Sequence, residues 1–197
     1  MLSVFKYFDL RFYLKFALLY LALYCINMFV VSVASPTGVY SSFVDNYLNY
    51  PSIIGNCVLI GSKFLAYLTG FDTSIHFKDQ MLLSESGRNA VQMFWPCYGL
   101  MLMSFWLAYI NAQSISARKK LHWSLIGIST IFLFNCIRVS TLLMAMEKNW
   151  EIGSTLKTNN HDLFNYISYL GIFVLILLYH RKHKSLPEGY SDKRALA

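Results

Sequence analysis

Residues 123–146 read WSLIGISTIFLFNCIRVSTLLMAM, an apolar run that carries one charge, Arg138. A helix needs about 20 apolar residues to cross a hydrocarbon core of about 30 Å, and this run is long enough. Three further runs approach or meet that length on either side of it, at 16–34, 97–114 and 163–180. The reading is an all-α integral membrane protein, a single membrane domain over 1–197 with about four transmembrane helices.

Composition agrees. Of 197 residues, 56% belong to the hydrophobic set and 14% are charged, whereas soluble domains carry about 25% charged residues. Only 10 Gly and 4 Pro are present, which excludes collagen-like and low-complexity chains. Cys25, Cys57, Cys97 and Cys136 form no CxxC pair and no zinc-type spacing with His. No disulfide framework, metal or organic cofactor is expected. The first run lacks a small-residue cleavage site, so it reads as a retained helix rather than a signal peptide.

The net charge is +7, and the placement of the basic residues explains it better than nucleic acid does. Three patches hold most of them: Lys6, Arg11 and Lys15; Arg118 to Lys120; and Arg181, Lys182, Lys184, Lys193 and Arg194. Each abuts an apolar run, as cytoplasmic loops do, whereas a nucleic-acid surface more often interleaves basic residues with aromatics along one soluble face. Four spans with both termini inside put all three patches on the cytoplasmic side. Lys63, Lys78, Arg88, Lys148 and Lys157 then fall outside. A fifth full span would break this pattern. Residues 53–68, interrupted by Lys63, Asn56 and two glycines, are therefore expected as an interfacial or re-entrant helix on the outer face. The turn signal Ser86-Gly87-Arg88-Asn89, between the runs 80–83 and 90–95, predicts a small hairpin leading into the second span. Residues 181–197 read as a basic cytoplasmic tail.

Arg138 is the costliest residue in the chain. A charge inside a span costs roughly 2.5–3.5 kcal/mol on insertion scales and marks function by default. Asn135 and Thr141, three residues to either side, share its helical face. The plainer reading is an Arg that reaches the headgroups or pairs with an outer carboxylate. Cys97 lies in Trp95-Pro96-Cys97-Tyr98-Gly99-Leu100, where a span enters from outside. Unpaired backbone N–H groups at a helix start favour a thiolate, although a cysteine there is more often inert packing. Gly99 lets another backbone approach closely. His161 opens the fourth span, where an imidazole can take a thiol proton and return it to a leaving amine. Its plainer reading is a solvated histidine at a helix start. Asp162, His76, His122, His180 and His183 carry no partner signal, and Cys25, Cys57 and Cys136 read as packing residues. The topology, derived from the basic patches alone, puts Cys97, Arg138 and His161 on three spans in the same outer half of the membrane.

The order of these elements resembles the exosortase/archaeosortase family of membrane cysteine transpeptidases. That family shows a Cys-x-Gly element, an Asn-x-x-Arg element in the next span, and a His opening a later span. Here they read Pro96-Cys97-Tyr98-Gly99-Leu100, Asn135-Cys136-Ile137-Arg138-Val139 and Asn160-His161-Asp162, within a similarity covering roughly 40–180. The commoner form around the nucleophile is Ala-Cys-Ser-Gly, so Pro96 and Tyr98 indicate a compact, divergent branch. The resemblance implies a protease and transpeptidase with Cys97, Arg138 and His161 as catalytic residues, supported by Asn135 and Gly99. Its implied substrate is the C-terminal sorting signal of exported proteins, passed to a surface glycan or lipid acceptor. The implied location is the bacterial inner membrane, with the active site outside and both termini cytoplasmic. The lipid bilayer is then a partner and nucleic acid is not. The alternatives are a non-catalytic membrane scaffold or assembly factor for surface polymer export, and a small transporter with Arg138 as an anion site. No paired broken helices favour the transporter.

Overall fold

The computed structural model describes residues 10–34, 40–148 and 160–184. Among these residues, six α-helices and a small sheet follow one another. They are α1 (Leu10–Ala34), α2 (Ser42–Tyr47), α3 (Tyr50–Leu68), the strands β1 (Thr73–His76), β2 (Met81–Ser84) and β3 (Ala90–Gln92), a 3-10 turn (Trp95–Tyr98), α4 (Leu100–Ala112), α5 (Ala117–Glu147) and α6 (Asn160–Lys184). By length and composition, α1, α3 and α5 are long and apolar enough to cross a membrane. The run expected at 97–114 is shorter as a helix: α4 has 13 residues, because Gly99 breaks the backbone ahead of it.

Helix α5 is the spine. Its 31 residues span about 46 Å, and other elements pack against it at two levels. Near its start, Trp123 and Ile131 join Met103, Trp106 and Tyr109 of α4 and Ile172, Leu175 and Tyr179 of α6 in one buried cluster. Gly127 admits the Trp106 indole, whose Nε1–H donates to the Trp123 carbonyl at 2.8 Å. Near its end, Cys136, Val139 and Leu143 join Val58 and Leu59 of α3, Leu82 of β2, Met93 and Tyr98 in a second cluster. Here the Ser140 hydroxyl lies 2.7 Å from the Ser62 carbonyl, so α3 and α5 are tied by a hydrogen bond as well as by packing.

Helix α1 lies antiparallel to α4, with Phe12 against Tyr109 and Phe16 against Phe105. Farther along, buried Asn27 donates to Ser104 at 2.8 Å and accepts from the Tyr50 hydroxyl, which joins α1, α4 and the start of α3. Asn49 caps α3 by accepting from the Ser52 N–H at 3.1 Å, and Pro51 sits in the first turn, where its missing N–H costs nothing.

The expected hairpin is present and one strand larger. β2 and β3 pair antiparallel with Leu82 opposite Val91, and β1 adds on the other side with Ile75 opposite Leu82. The start of α1, the turn between α4 and α5 and the end of α6 line one cavity, so the basic Arg11, Lys15 and His180 share one end of the bundle. The sheet, the 3-10 turn and the start of α3 meet the last turn of α1 at the opposite end.

Candidate functional site

The Cys97 turn is built by contacts from four directions. β3 ends at Gln92, and the next N–H, from Met93, donates to the Gln80 carbonyl at 2.9 Å. The 3-10 turn follows, and the Cys97 N–H donates to the Phe94 carbonyl at 2.7 Å. Cys97 is therefore not the first residue of an α-helix with a free N–H, as its motif suggests. Gly99, at φ +78°, turns the chain, and α4 opens at Leu100. The dipole-bearing first turn of α4 consequently lies three residues beyond the thiol.

Asn135 closes the turn from the α5 side. Its amide donates to the Tyr98 carbonyl at 3.4 Å, and a Cβ on Gly99 would lie 2.0 Å from its Nδ2. The close approach that Gly99 permits is thus by a side chain, where a backbone was expected. Tyr98 lies over Gly55 of α3, and its hydroxyl donates to the Gln80 side chain. Gln80 also reaches the Ser52 hydroxyl at 2.9 Å, with its own backbone in the left-handed region at φ 49°. One residue in a tight turn thereby fastens the sheet, α3 and the Cys97 turn together. No sequence signal marks Gln80, because its partners lie 18 and 28 positions away.

The four cysteines differ in environment. Cys136 is buried between α5 and α3, as a packing residue should be, whereas Cys25 and Cys57 are exposed on the bundle's outer surface. Cys97 is half-buried.

Arg138 is one helical turn from Asn135, displaced by about 4.5 Å along α5. It is 7% exposed, and among the described residues its guanidinium has no hydrogen-bond or ion-pair partner. An outer carboxylate that would pair with it is therefore not among those residues. At 100° per residue, the Arg138 position falls between the face of α5 that holds Asn135 against Gly99 and the face that holds Phe134 against Gly171 of α6. α4 begins beside Asn135, through Gly99, and runs away from the Arg138 level.

His161 lies in the first turn of α6. Its side chain is outside the described residues. Counting back from the Gly171–Phe134 contact along antiparallel helices puts its backbone roughly 9 Å farther out along the bundle than Arg138. Cys97, Gly99 and Asn135 are thus brought together, Arg138 stands one turn away, and His161 enters from a different helix at the same end. Among the described residues, no three His, Cys, Asp or Glu side chains gather as metal ligands would. No protein-family model, no curated protein and no solved structure matches the chain.

Proposed function

We propose that the chain is a membrane-embedded cysteine transpeptidase of the exosortase kind, acting on C-terminal sorting signals of exported proteins. The observation that carries the proposal is Arg138: a residue 7% exposed, with no hydrogen-bond or ion-pair partner among the described residues, one turn from the Asn135 that holds the Cys97 turn. A guanidinium stays charged, and a buried cation is costly unless a negative charge stands near it. A site that retains one gains when a negative charge forms beside it, which is the requirement of acyl transfer.

In this reading His161 takes the Cys97 proton as the sulfur attacks the scissile carbonyl, forming a C–S bond. Arg138 stabilises the tetrahedral oxyanion. The C–N bond breaks, the leaving amine takes the proton from His161, and a thioester remains. An acceptor amine then attacks the thioester, its proton passes through His161 to the departing thiolate, and free Cys97 returns. In this reading α1, α4, α5 and α6 are the four spans, the site lies on the last three, and α3 lies beside the outer half of α5. The contacts Gly55–Tyr98, Gly61–Cys136 and Thr69–Met144 support that placement of α3. Arg11 and Lys15 near the start of α1, Arg118 to Lys120 at the start of α5 and Arg181 near the end of α6 support a cytoplasmic face at that end, with the Cys97 end outside the bacterial inner membrane.

The test applies a membrane-impermeant thiol reagent to intact cells and follows processing of an exported reporter carrying a motif, an apolar helix and a basic tail. Wild type should label at Cys97 and process the reporter. Cys97→Ala should insert normally and do neither. Normal processing by Cys97→Ala would end the proposal. If Cys97→Ala were also silent while Arg138→Ala dissolved a complex, the scaffold reading would replace it.

A further inference from the structure

A large cavity lies at the opposite end of the bundle from Cys97. It has a volume of about 1150 Å³ and lies between the start of α1, the turn after α4 and the end of α6. Its walls are aromatic, with Phe12, Phe16, Phe105 and Tyr109 among them, and Arg11, Lys15 and His180 stand in its lining. Among the described residues, no Asp or Glu contributes to that lining. Arg11 and Lys15 are one turn apart on α1, on the same face. His180 is fixed by its Nε2 at 2.7 Å from the Tyr109 hydroxyl. Basic groups above an apolar, aromatic wall, at a helix end where a bilayer interface would fall, match the two halves of a lipid.

We propose that this cavity holds an anionic phospholipid, its phosphate between Arg11, Lys15 and His180 and its acyl chains along the aromatic wall. Charge complementarity selects this occupant over the chain's own ends. Residues 1–9 carry Lys6 and Asp9, and residues 185–197 carry Glu188 and Asp192 against Lys193 and Arg194, so neither segment brings net negative side-chain charge. The cavity does not involve Cys97, and the inference stands independently of the proposed reaction.

The experiment uses the full chain in nanodiscs of phosphatidylcholine, with and without phosphatidylglycerol, and measures co-purified lipid by mass spectrometry together with the thermal midpoint. Phosphatidylglycerol should be retained in preference to phosphatidylcholine and should raise the midpoint, while inorganic phosphate should do neither. The pair Arg11→Gln/Lys15→Gln should weaken retention about 30-fold, since each cation near an anionic leaflet contributes roughly a fivefold gain in affinity. The pair Arg118→Gln/Lys119→Gln removes equal charge outside the cavity lining and should leave retention near wild type. Equal loss in both pairs would reduce the effect to general surface charge and overturn the site. An equal rise in midpoint with inorganic phosphate would make it a phosphate site and not a lipid site. A lipid effect that appeared only after residues 185–197 were removed would identify the tail as the occupant.

Discussion

The side chain of Asn135 occupies the space that a Cβ on Gly99 would need. Its Nδ2 lies 2.0 Å from that position, while the same amide donates to the Tyr98 carbonyl at 3.4 Å. The cysteine turn and the arginine helix are therefore docked through a glycine and an asparagine that sit 36 positions apart. The two short motifs around Cys97 and Arg138 are parts of one packed unit.

Gly99→Ala meets two penalties, a left-handed backbone at about 1–2 kcal/mol and overpacking at about 1–3 kcal/mol. Thermal or denaturant unfolding in detergent should show a loss of roughly 2–5 kcal/mol. Adding Asn135→Ala should recover the overpacking share, so the double mutant should be less destabilised than the sum of the two singles. Strict additivity would show that the contact does not constrain the turn.

Arg138→Met removes a buried cation that has no partner among the described residues. Replacing such a charge with an apolar side chain of similar reach should leave stability unchanged or raise it. Processing should nevertheless fall by about 100- to 1000-fold, the effect of removing an oxyanion donor. Arg138→Lys keeps the charge but loses the planar fork, and its rate should lie between the two. A marked loss of stability in Arg138→Met would instead identify Arg138 as a structural residue.

Gln80→Leu leaves the Tyr98 hydroxyl and the Ser52 side chain without their shared partner. Losing these part-buried hydrogen bonds should cost about 1 kcal/mol each, and the strand 81–84 should lose amide-exchange protection before α5 does. Labelling of Cys97 should accelerate, because its neighbour Tyr98 is released. Unchanged protection in the sheet would show that Gln80 does not anchor it.

Thiol reactivity offers a check on packing alone. Cys136 is 2% exposed, with Gly61 of α3 pressed against its sulfur, whereas Cys97 is half-buried. A small neutral maleimide applied in detergent should modify Cys97 in the folded protein and Cys136 only after denaturation. Modification of Cys136 at the rate of Cys97 would mean that α3 does not cover α5.

Hydropathy and charge placement were sufficient to read the helical runs around 16–34, 123–146 and 163–180, the turn at Ser86–Asn89 and the basic ends of the apolar runs, of which Arg11, Lys15 and His180 line one cavity. These are local properties: a run of apolar side chains needs shelter wherever the rest of the chain goes, and a turn residue acts on its own backbone. Naming Cys97, Asn135 and Arg138 as candidate site positions also needed only residue type and spacing. The tertiary structure decided that Cys97 sits in a 3-10 turn and α4 begins at Leu100, that β1 joins the sheet through a polar strand, and that Gln80 holds Ser52 and Tyr98. It also decided that Arg138 is buried without a partner among the described residues. Each of these depends on which distant side chains share a space, and periodicity along one helix or strand carries no record of that.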